Sequence, residues 1–148
     1  MKGSLVQFAF IVLALVIGGA LESALPSVWG LGVPVLLGAA LFFATTTRSP
    51  VWVIAALAAG AMEESVAPLP PATAIVFFAA LAAAVRFLRE PVVWVVAAYP
   101  AYQVWLGLVA EGSGAIARAM VAVPVGALSL AAVVVLMSAA WRKAGADA

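Results

Sequence analysis

Two adjacent glutamates, Glu63 and Glu64, are the residues whose type and position best fit a functional site in this sequence. They end an apolar stretch that begins after Arg48, about 22–24 Å along a helix that rises about 1.5 Å per residue. A bilayer core is about 30 Å thick, so we predict that the pair lies short of the far surface, embedded or in a cavity. The alternative is a tilted or short helix whose two acids reach the outer water.

Embedded carboxylates are costly, and they usually face a bundle interior, a water pocket or a counter-ion. We therefore predict that Glu63 and Glu64 are partner-binding or ligand-binding residues, with Gly60 on the same helix face as Glu64. Adjacent helix positions differ by about 100°, so the two carboxylates cannot both face one point while the helix continues.

Arg118 is a candidate counter-ion because it is the one basic residue on the acidic side of the predicted bundle. We hypothesise that it pairs with Glu63, Glu64 or Glu111, which would offset the charge on both partners. The alternative is an arginine whose long stem carries its head to the outer lipid headgroups.

The amino-acid composition excludes most of the side chains that enzymes use for catalysis. The chain has no cysteine and no histidine, so it offers no disulfide, no thiol nucleophile and no imidazole. Ser65 stands beside Glu64, but no histidine or lysine lies nearby in sequence to activate it. We predict a protein that is not an enzyme and that uses no metal or cofactor. The net charge of +1 also argues against nucleic-acid binding.

The elements that must position these residues are membrane helices. Of the 148 residues, 68% are apolar and 9% are charged, which is far outside the soluble range. At about 20 residues per span the chain has room for five or six helices. We predict an all-α integral membrane protein, a six-transmembrane-helix bundle in a single domain over residues 1–148, with spans at about 5–21, 32–47, 51–67, 72–88, 91–110 and 116–141.

Charge alternates between the two sets of helix junctions. The acidic set is Glu22, Glu63 with Glu64, and Glu111, and the basic set is Lys2, Arg48, Arg86 with Arg89, and Arg142 with Lys143. Basic residues in short loops stay on the cytoplasmic side. We therefore expect a multi-pass protein of the bacterial inner (cytoplasmic) membrane with both termini cytoplasmic. A five-span count would place the C-terminus outside.

Depth separates the acids of the outer set. Glu22 follows Lys2, and Glu111 follows Pro91, by a helical distance of about 30 Å, which is the far interface. We expect both to be ordinary boundary residues.

Two stretches, 48–56 and 89–98, are alike in placing a proline and then a tryptophan after an arginine. One interpretation is a duplicated two-helix unit, as in some transporters. The other is that arginine, helix-starting proline and interfacial tryptophan are a common way to begin a span.

The middle of the chain combines several of these features in a fixed order. Residues 48–50 form a basic turn with a proline, residues 58–65 end a helix in small residues and acids, and residues 68–70 form a proline-containing turn before a helix that exits at basic residues. With residues 20–26 and Pro34, this order resembles the rod shape-determining protein MreD family over about residues 15–90. Glu64 matches the position where that family usually has an aspartate.

The resemblance implies a non-enzymatic inner-membrane scaffold of the bacterial cell-shape machinery for peptidoglycan elongation. Its implied partners are a single-span periplasmic coiled-coil protein of the MreC type, other elongation-complex membrane proteins and membrane lipid. It also implies a fold similar to the substrate-binding subunits of energy-coupling-factor transporters. Small residues at helical spacing would permit close protein–protein packing, including a homo-oligomer.

Two other functions compete with the scaffold. Outer-half carboxylates with Arg118, Tyr99, Tyr102 and Trp105 could form a pocket for a vitamin-type ligand. Few polar side chains lie within the spans, however, and a pocket for a specific polar ligand usually needs more of them. A proton-coupled small-molecule transporter, with Glu63 or Glu64 as the proton carrier, is the third interpretation.

Overall fold

The computed structural model of this protein describes residues 2–27, 31–47, 50–111 and 114–145, and these residues contain helices and no β-strand. They form six α-helices, with a single π-helical turn, Gly107–Glu111, at the end of the fifth. The bounds are α1 Lys2–Ala24, α2 Val35–Thr46, α3 Val51–Val66, α4 Thr73–Leu88, α5 Pro91–Leu106 and α6 Ala115–Lys143. The predicted all-α class and the six helices are confirmed.

The helices differ in their capacity to cross a membrane. Within the described residues, three are long and apolar enough to do so, namely Gly3–Ala24, Pro91–Val109 and Ala115–Lys143. Val35–Thr46 and Thr73–Leu88 are shorter apolar helices. With 12 residues, α2 is about 18 Å long. It is shorter than the predicted span because Pro34 stands outside the helix as its N-cap, with φ −82° and ψ 70°.

Helix α2 is the centre of the bundle. It packs against each of the other five α-helices, and the described structure buries its residues from Val35 to Ala44. A helix that is apolar on all sides is expected to be enclosed in this way. At the C-terminal end of α2, the ring of Phe43 packs against Phe10 of α1, and the ring of Phe42 packs against Trp141 of α6. The ring centroids of Phe10 and Trp141 are 5.1 Å apart.

The outer surface of the bundle carries large apolar side chains. Leu5 of α1 is 72% exposed, Phe87 of α4 is 84% exposed, and Leu128 of α6 is 76% exposed. Large apolar side chains exposed on several helices are typical of a surface that contacts a membrane or another protein. The fold therefore has the general character of a membrane protein.

Hydrogen bonds show that the basic and acidic junctions lie at opposite ends. The Nη1 of Arg86, near the end of α4, donates to the carbonyl of Thr47 at the end of α2, at 2.8 Å. At the other end, Glu64 at the end of α3 accepts a hydrogen bond from the backbone N–H of Ala74 at the start of α4. We call these the basic end and the acidic end of the bundle. Arg48 lies outside the described residues.

Candidate functional site

A cavity of about 260 Å³ lies at the acidic end of the bundle, among residues from α1, α2, α3, α4 and α5 and the turn before α2. We call it the acidic cavity. Its polar side chains come from α1, α3 and α5, and they are Glu22, Glu63, Tyr99, Tyr102 and Gln103. Its apolar wall includes Leu37 and Phe78.

The carboxyl groups of Glu22 and Glu63 are neighbours in this cavity, close enough for their charges to interact. Two carboxyl groups can hydrogen-bond only when a proton lies between them, because ionised carboxylates are acceptors alone. Glu63 also accepts a hydrogen bond on Oε1 from the Tyr102 hydroxyl, at 3.3 Å. Glu22 accepts one on Oε2 from the backbone N–H of Leu36, at 2.8 Å.

The tyrosines of the acidic cavity are also held within the protein. The Tyr99 hydroxyl donates to the carbonyl of Gly32. The Tyr102 ring packs against Phe77 and Phe78, with centroid distances of 5.0 and 5.6 Å. The cavity wall is thus a connected polar network held by aromatic packing, which favours a rigid wall.

Glu64 does not line the acidic cavity. Its Oε1 accepts hydrogen bonds from the N–H groups of Ala74 and Ile75, at 2.9 and 3.1 Å, and its Oε2 accepts one from Ala72 at 3.1 Å. The first N–H groups of a helix have no partner within the helix, and a carboxylate there also complements the helix dipole. Glu64 therefore caps α4, while its neighbour Glu63 faces the cavity, as the 100° rotation between them predicts.

Glu22 caps α2 in the same way that Glu64 caps α4. The N-cap residues of these two helices, Pro34 and Ala72, make no side-chain capping bond, so each cap comes from the preceding helix. Both glutamates open the sequence Glu-Ser-x-x-Pro, at 22–26 and at 64–68. The two serines also match, since Ser23 donates to Ala20 and Ser65 donates to Met62, each three residues back.

Gly60 and Trp105 hold α4 in place rather than line the acidic cavity. A Cβ added to Gly60 would lie 2.6 Å from the Cα of Ile75, so the backbones of α3 and α4 are in direct contact here. The indole N–H of Trp105 donates to the carbonyl of Thr73 at 2.9 Å, which ties α5 to the start of α4. Both residues position the helix that Glu64 caps.

Arg118 lies in the first turn of α6, with its side chain partly buried. The described contacts of Glu63 are with Tyr102 and Glu22. Those of Glu64 are with backbone N–H groups at the start of α4. The side chain of Glu111 lies outside the described residues, so the pairing of Arg118 stays a prediction.

Sequence reasoning missed Glu22, which it treated as an ordinary boundary residue. Its depth along α1 is that of a helix end, as expected, but α2 and α3 pack around it and leave it only partly exposed. Depth along one helix cannot show which neighbours will cover the residue. The repeated Glu-Ser-x-x-Pro is the signal that would have paired Glu22 with Glu64.

A second feature of the structure is an apolar groove of about 300 Å³ on the side of the bundle, between α1 and α6. We call it the lateral groove. Its walls are α1 from Phe10 to Leu21 and α6 from Val133 to Ala140, and its floor is α2 at Val35 and Ala39. Every residue that lines it is apolar or glycine.

Comparison with protein-family models, with curated proteins and with solved structures finds no match for this chain. The resemblance to the MreD family therefore stays a prediction, and it is carried by the sequence order alone.

Proposed function

We propose that this protein is a non-enzymatic scaffold of the bacterial inner membrane that binds the transmembrane helix of a partner, as the resemblance to MreD implies. In this proposal all six helices lie in the membrane and both termini are cytoplasmic. The lateral groove is the observation that carries the proposal, because it is an elongated apolar recess that opens to the side of the bundle.

The shape and chemistry of the lateral groove suit a helix. Its α1 wall, from Phe10 to Leu21, extends about 16 Å at 1.5 Å per residue, which is three helical turns. Lipid provides no hydrophobic drive between helices, so close approach at small residues decides their association. Ala14 and Gly18, one turn apart on α1, both line the groove, so its α1 wall carries small residues over this turn. The fitting occupant is one apolar helix, such as the span of an MreC-type protein.

The acidic cavity fits a vitamin-type ligand less well. Its volume of about 260 Å³ is below the roughly 300–1,000 Å³ that is typical of small-molecule sites. Glu22, Glu63 and Tyr99 also bond within the protein, so a ligand would have to break those contacts. A structural role, in which these contacts stabilise the packing of the helices, is enough to explain the polar network.

A proton-coupled transporter is the second candidate function, and the presence of both Glu22 and Glu63 in the acidic cavity is the observation that favours it. Two neighbouring carboxyl groups can share one proton because both cannot readily ionise, and intramembrane carboxyl groups are the usual relays of proton-driven transport. In that case the working pair would be Glu22 and Glu63, with Glu64 as a structural cap.

Site-specific photo-crosslinking in intact cells tests the scaffold proposal. A crosslinking residue at Leu13 or Leu136, both in the lateral groove, is expected to capture a single-span coiled-coil protein. The matched control is Leu128, which is 76% exposed on α6 but does not line the groove. Equal capture at Leu128 would count against the groove. Capture of ATPase subunits with a four- to eight-helix coupling subunit would replace the scaffold with a transporter role.

The topology has its own test, since the chain contains no cysteine and any introduced thiol is unique. Pro71→Cys lies in the α3–α4 turn at the acidic end, and Glu90→Cys lies in the α4–α5 turn at the basic end; both positions are exposed. An impermeant thiol reagent should label Pro71→Cys in intact cells and leave Glu90→Cys unlabelled until the cells are lysed. The reverse pattern would invert the orientation.

A further inference from the structure

The acidic cavity is too small for a vitamin-type ligand, but it has room for a smaller one. Its volume of about 260 Å³ is that of about eight or nine liquid water molecules, at about 30 Å³ each. A bare metal ion would leave most of this space empty. Within the part of the chain that the structure describes, no group of three or more carboxylate, imidazole or thiol side chains is placed to hold a metal ion. Gly32 and Val66 line the cavity and are exposed at the acidic end, so a small molecule reaches it from that end.

The charge of the acidic cavity selects the kind of molecule that fits it. Glu22 and Glu63 are its two carboxyl groups, and none of the residues that line it is basic. When two neighbouring carboxyl groups share one proton, one negative charge remains. An embedded negative charge is stabilised by a counter-ion, so the cavity favours a cation over an anion or a neutral molecule.

The hydrogen bonds within the cavity are compatible with a bound cation. The backbone N–H of Leu36 donates to Oε2 of Glu22, and the Tyr102 hydroxyl donates to Oε1 of Glu63. A carboxylate has about four lone-pair sites on its two oxygens, so each glutamate keeps capacity to accept more. An ammonium group carries donors and no acceptor. It therefore does not compete for the donors of Leu36 and Tyr102, as a ligand with acceptor groups would.

Two further features of the cavity lining suit an organic ammonium ion. Gln103 is a polar side chain that is only 8% exposed, and its amide takes part in neither of the hydrogen bonds to the glutamates. Its amide oxygen is a neutral acceptor in the cavity wall. Phe78, Tyr99 and Tyr102 also line the cavity, and aromatic side chains commonly line sites that bind organic ammonium ions.

We propose that the acidic cavity binds a small organic ammonium ion. Glu22 and Glu63 supply the negative charge and the charge-assisted hydrogen bonds, and Gln103 supplies a neutral acceptor. The site is independent of the partner helix, because no residue lines both the acidic cavity and the lateral groove. Binding of the ion and capture of a partner are therefore tested separately.

The test uses the purified full chain in a neutral detergent, with propylammonium chloride as the probe. Thermal unfolding reports the binding, because a ligand that binds the folded state raises the unfolding temperature. Propylammonium is expected to raise the unfolding temperature to a plateau, whereas sodium chloride and propanol at the same concentration should not. Glu22→Gln with Glu63→Gln should weaken the apparent affinity about tenfold or more, because the double variant removes the negative charge from the cavity.

The matched control is Glu64→Gln with Glu90→Gln, which removes two carboxylates that do not line the cavity. This control should keep the full response to propylammonium. Equal losses in the two double variants would overturn the site. An equal response to sodium chloride or to propanol would also overturn it, since the effect would then be one of salt or of apolar contact.

A third variant keeps the proposal testable if Glu22→Gln with Glu63→Gln fails to fold. Gln103→Met removes the neutral acceptor and keeps a side chain of similar length. It should weaken the apparent affinity for propylammonium about two- to tenfold, the effect of one neutral hydrogen bond. Unchanged affinity in Gln103→Met would contradict the proposed set of acceptors.

Discussion

The carboxylate of Glu22 accepts a hydrogen bond from the backbone N–H of Leu36 at 2.8 Å, so the last turn of α1 caps the first turn of α2. Glu64 does the same for α4 from the end of α3. The two hairpins α1–α2 and α3–α4 therefore share a capping contact as well as the sequence Glu-Ser-x-x-Pro. This match is a second internal similarity beside that of 48–56 and 89–98, and it relates a different pair of hairpins.

Replacement of Glu64 by alanine should destabilise the protein by about 1–3 kcal/mol, because it leaves three N–H groups at the start of α4 without their acceptor. Thermal unfolding in detergent measures the loss. Glu90→Ala is the matched control, since Glu90 is exposed and caps no helix through its side chain. It should change the stability by less than about 0.5 kcal/mol. Similar losses in the two variants would contradict the capping role.

Glu22 should respond differently to glutamine and to alanine. Glu22→Gln keeps an oxygen for the Leu36 N–H and adds an amide donor toward Glu63, so its stability is expected to equal or exceed that of the parent protein. Glu22→Ala removes the acceptor and should cost about 1–3 kcal/mol.

Unfolding temperatures of both variants, measured beside those of Glu63→Gln and the Glu22→Gln/Glu63→Gln double variant, check this prediction. The single glutamine variants should not be additive, because each changes the partner of the other. Additive effects would mean that the two carboxyl groups do not interact.

The glycines of α1 and α3 should also behave oppositely. In Gly60→Ala the new Cβ would lie 2.6 Å from the Cα of Ile75, so α3 and α4 must move apart, at a cost of about 1–3 kcal/mol. In Gly18→Ala the nearest atoms, on Leu36 and Val35, are 3.5 Å away, which is ordinary contact. Alanine is about 1 kcal/mol better than glycine within a helix, so Gly18→Ala should be neutral or stabilising. Chemical denaturation of both variants measures the difference, and equal destabilisation would contradict it.

The sequence predicts the six helices, but it does not predict how their ends contact one another. Apolar runs broken at Pro68 and Pro70, and the charged residues between runs, predict the six helices, since each depends on local chemistry. The role of Glu22 depends on which helices pack around its end, and no local pattern encodes that. The capping contact of Glu64 was not predicted, because depth alone cannot distinguish a carboxylate that caps a neighbouring helix from one that faces a cavity.

The lateral groove should lose its partner when a bulky side chain fills it. Ala140 is exposed at the α6 wall of the groove, so Ala140→Trp can occupy the recess without entering the core. A clash of this kind costs about 1–3 kcal/mol, which corresponds to a loss of affinity for the partner of about 5- to 150-fold. Ala131→Trp, on an exposed part of α6 outside the groove, is the control and should leave recovery unchanged. Co-purification of the single-span partner with each variant, at equal unfolding temperatures, separates lost binding from lost folding. If Ala140→Trp recovers as much partner as Ala131→Trp, the partner helix binds a different face of the bundle.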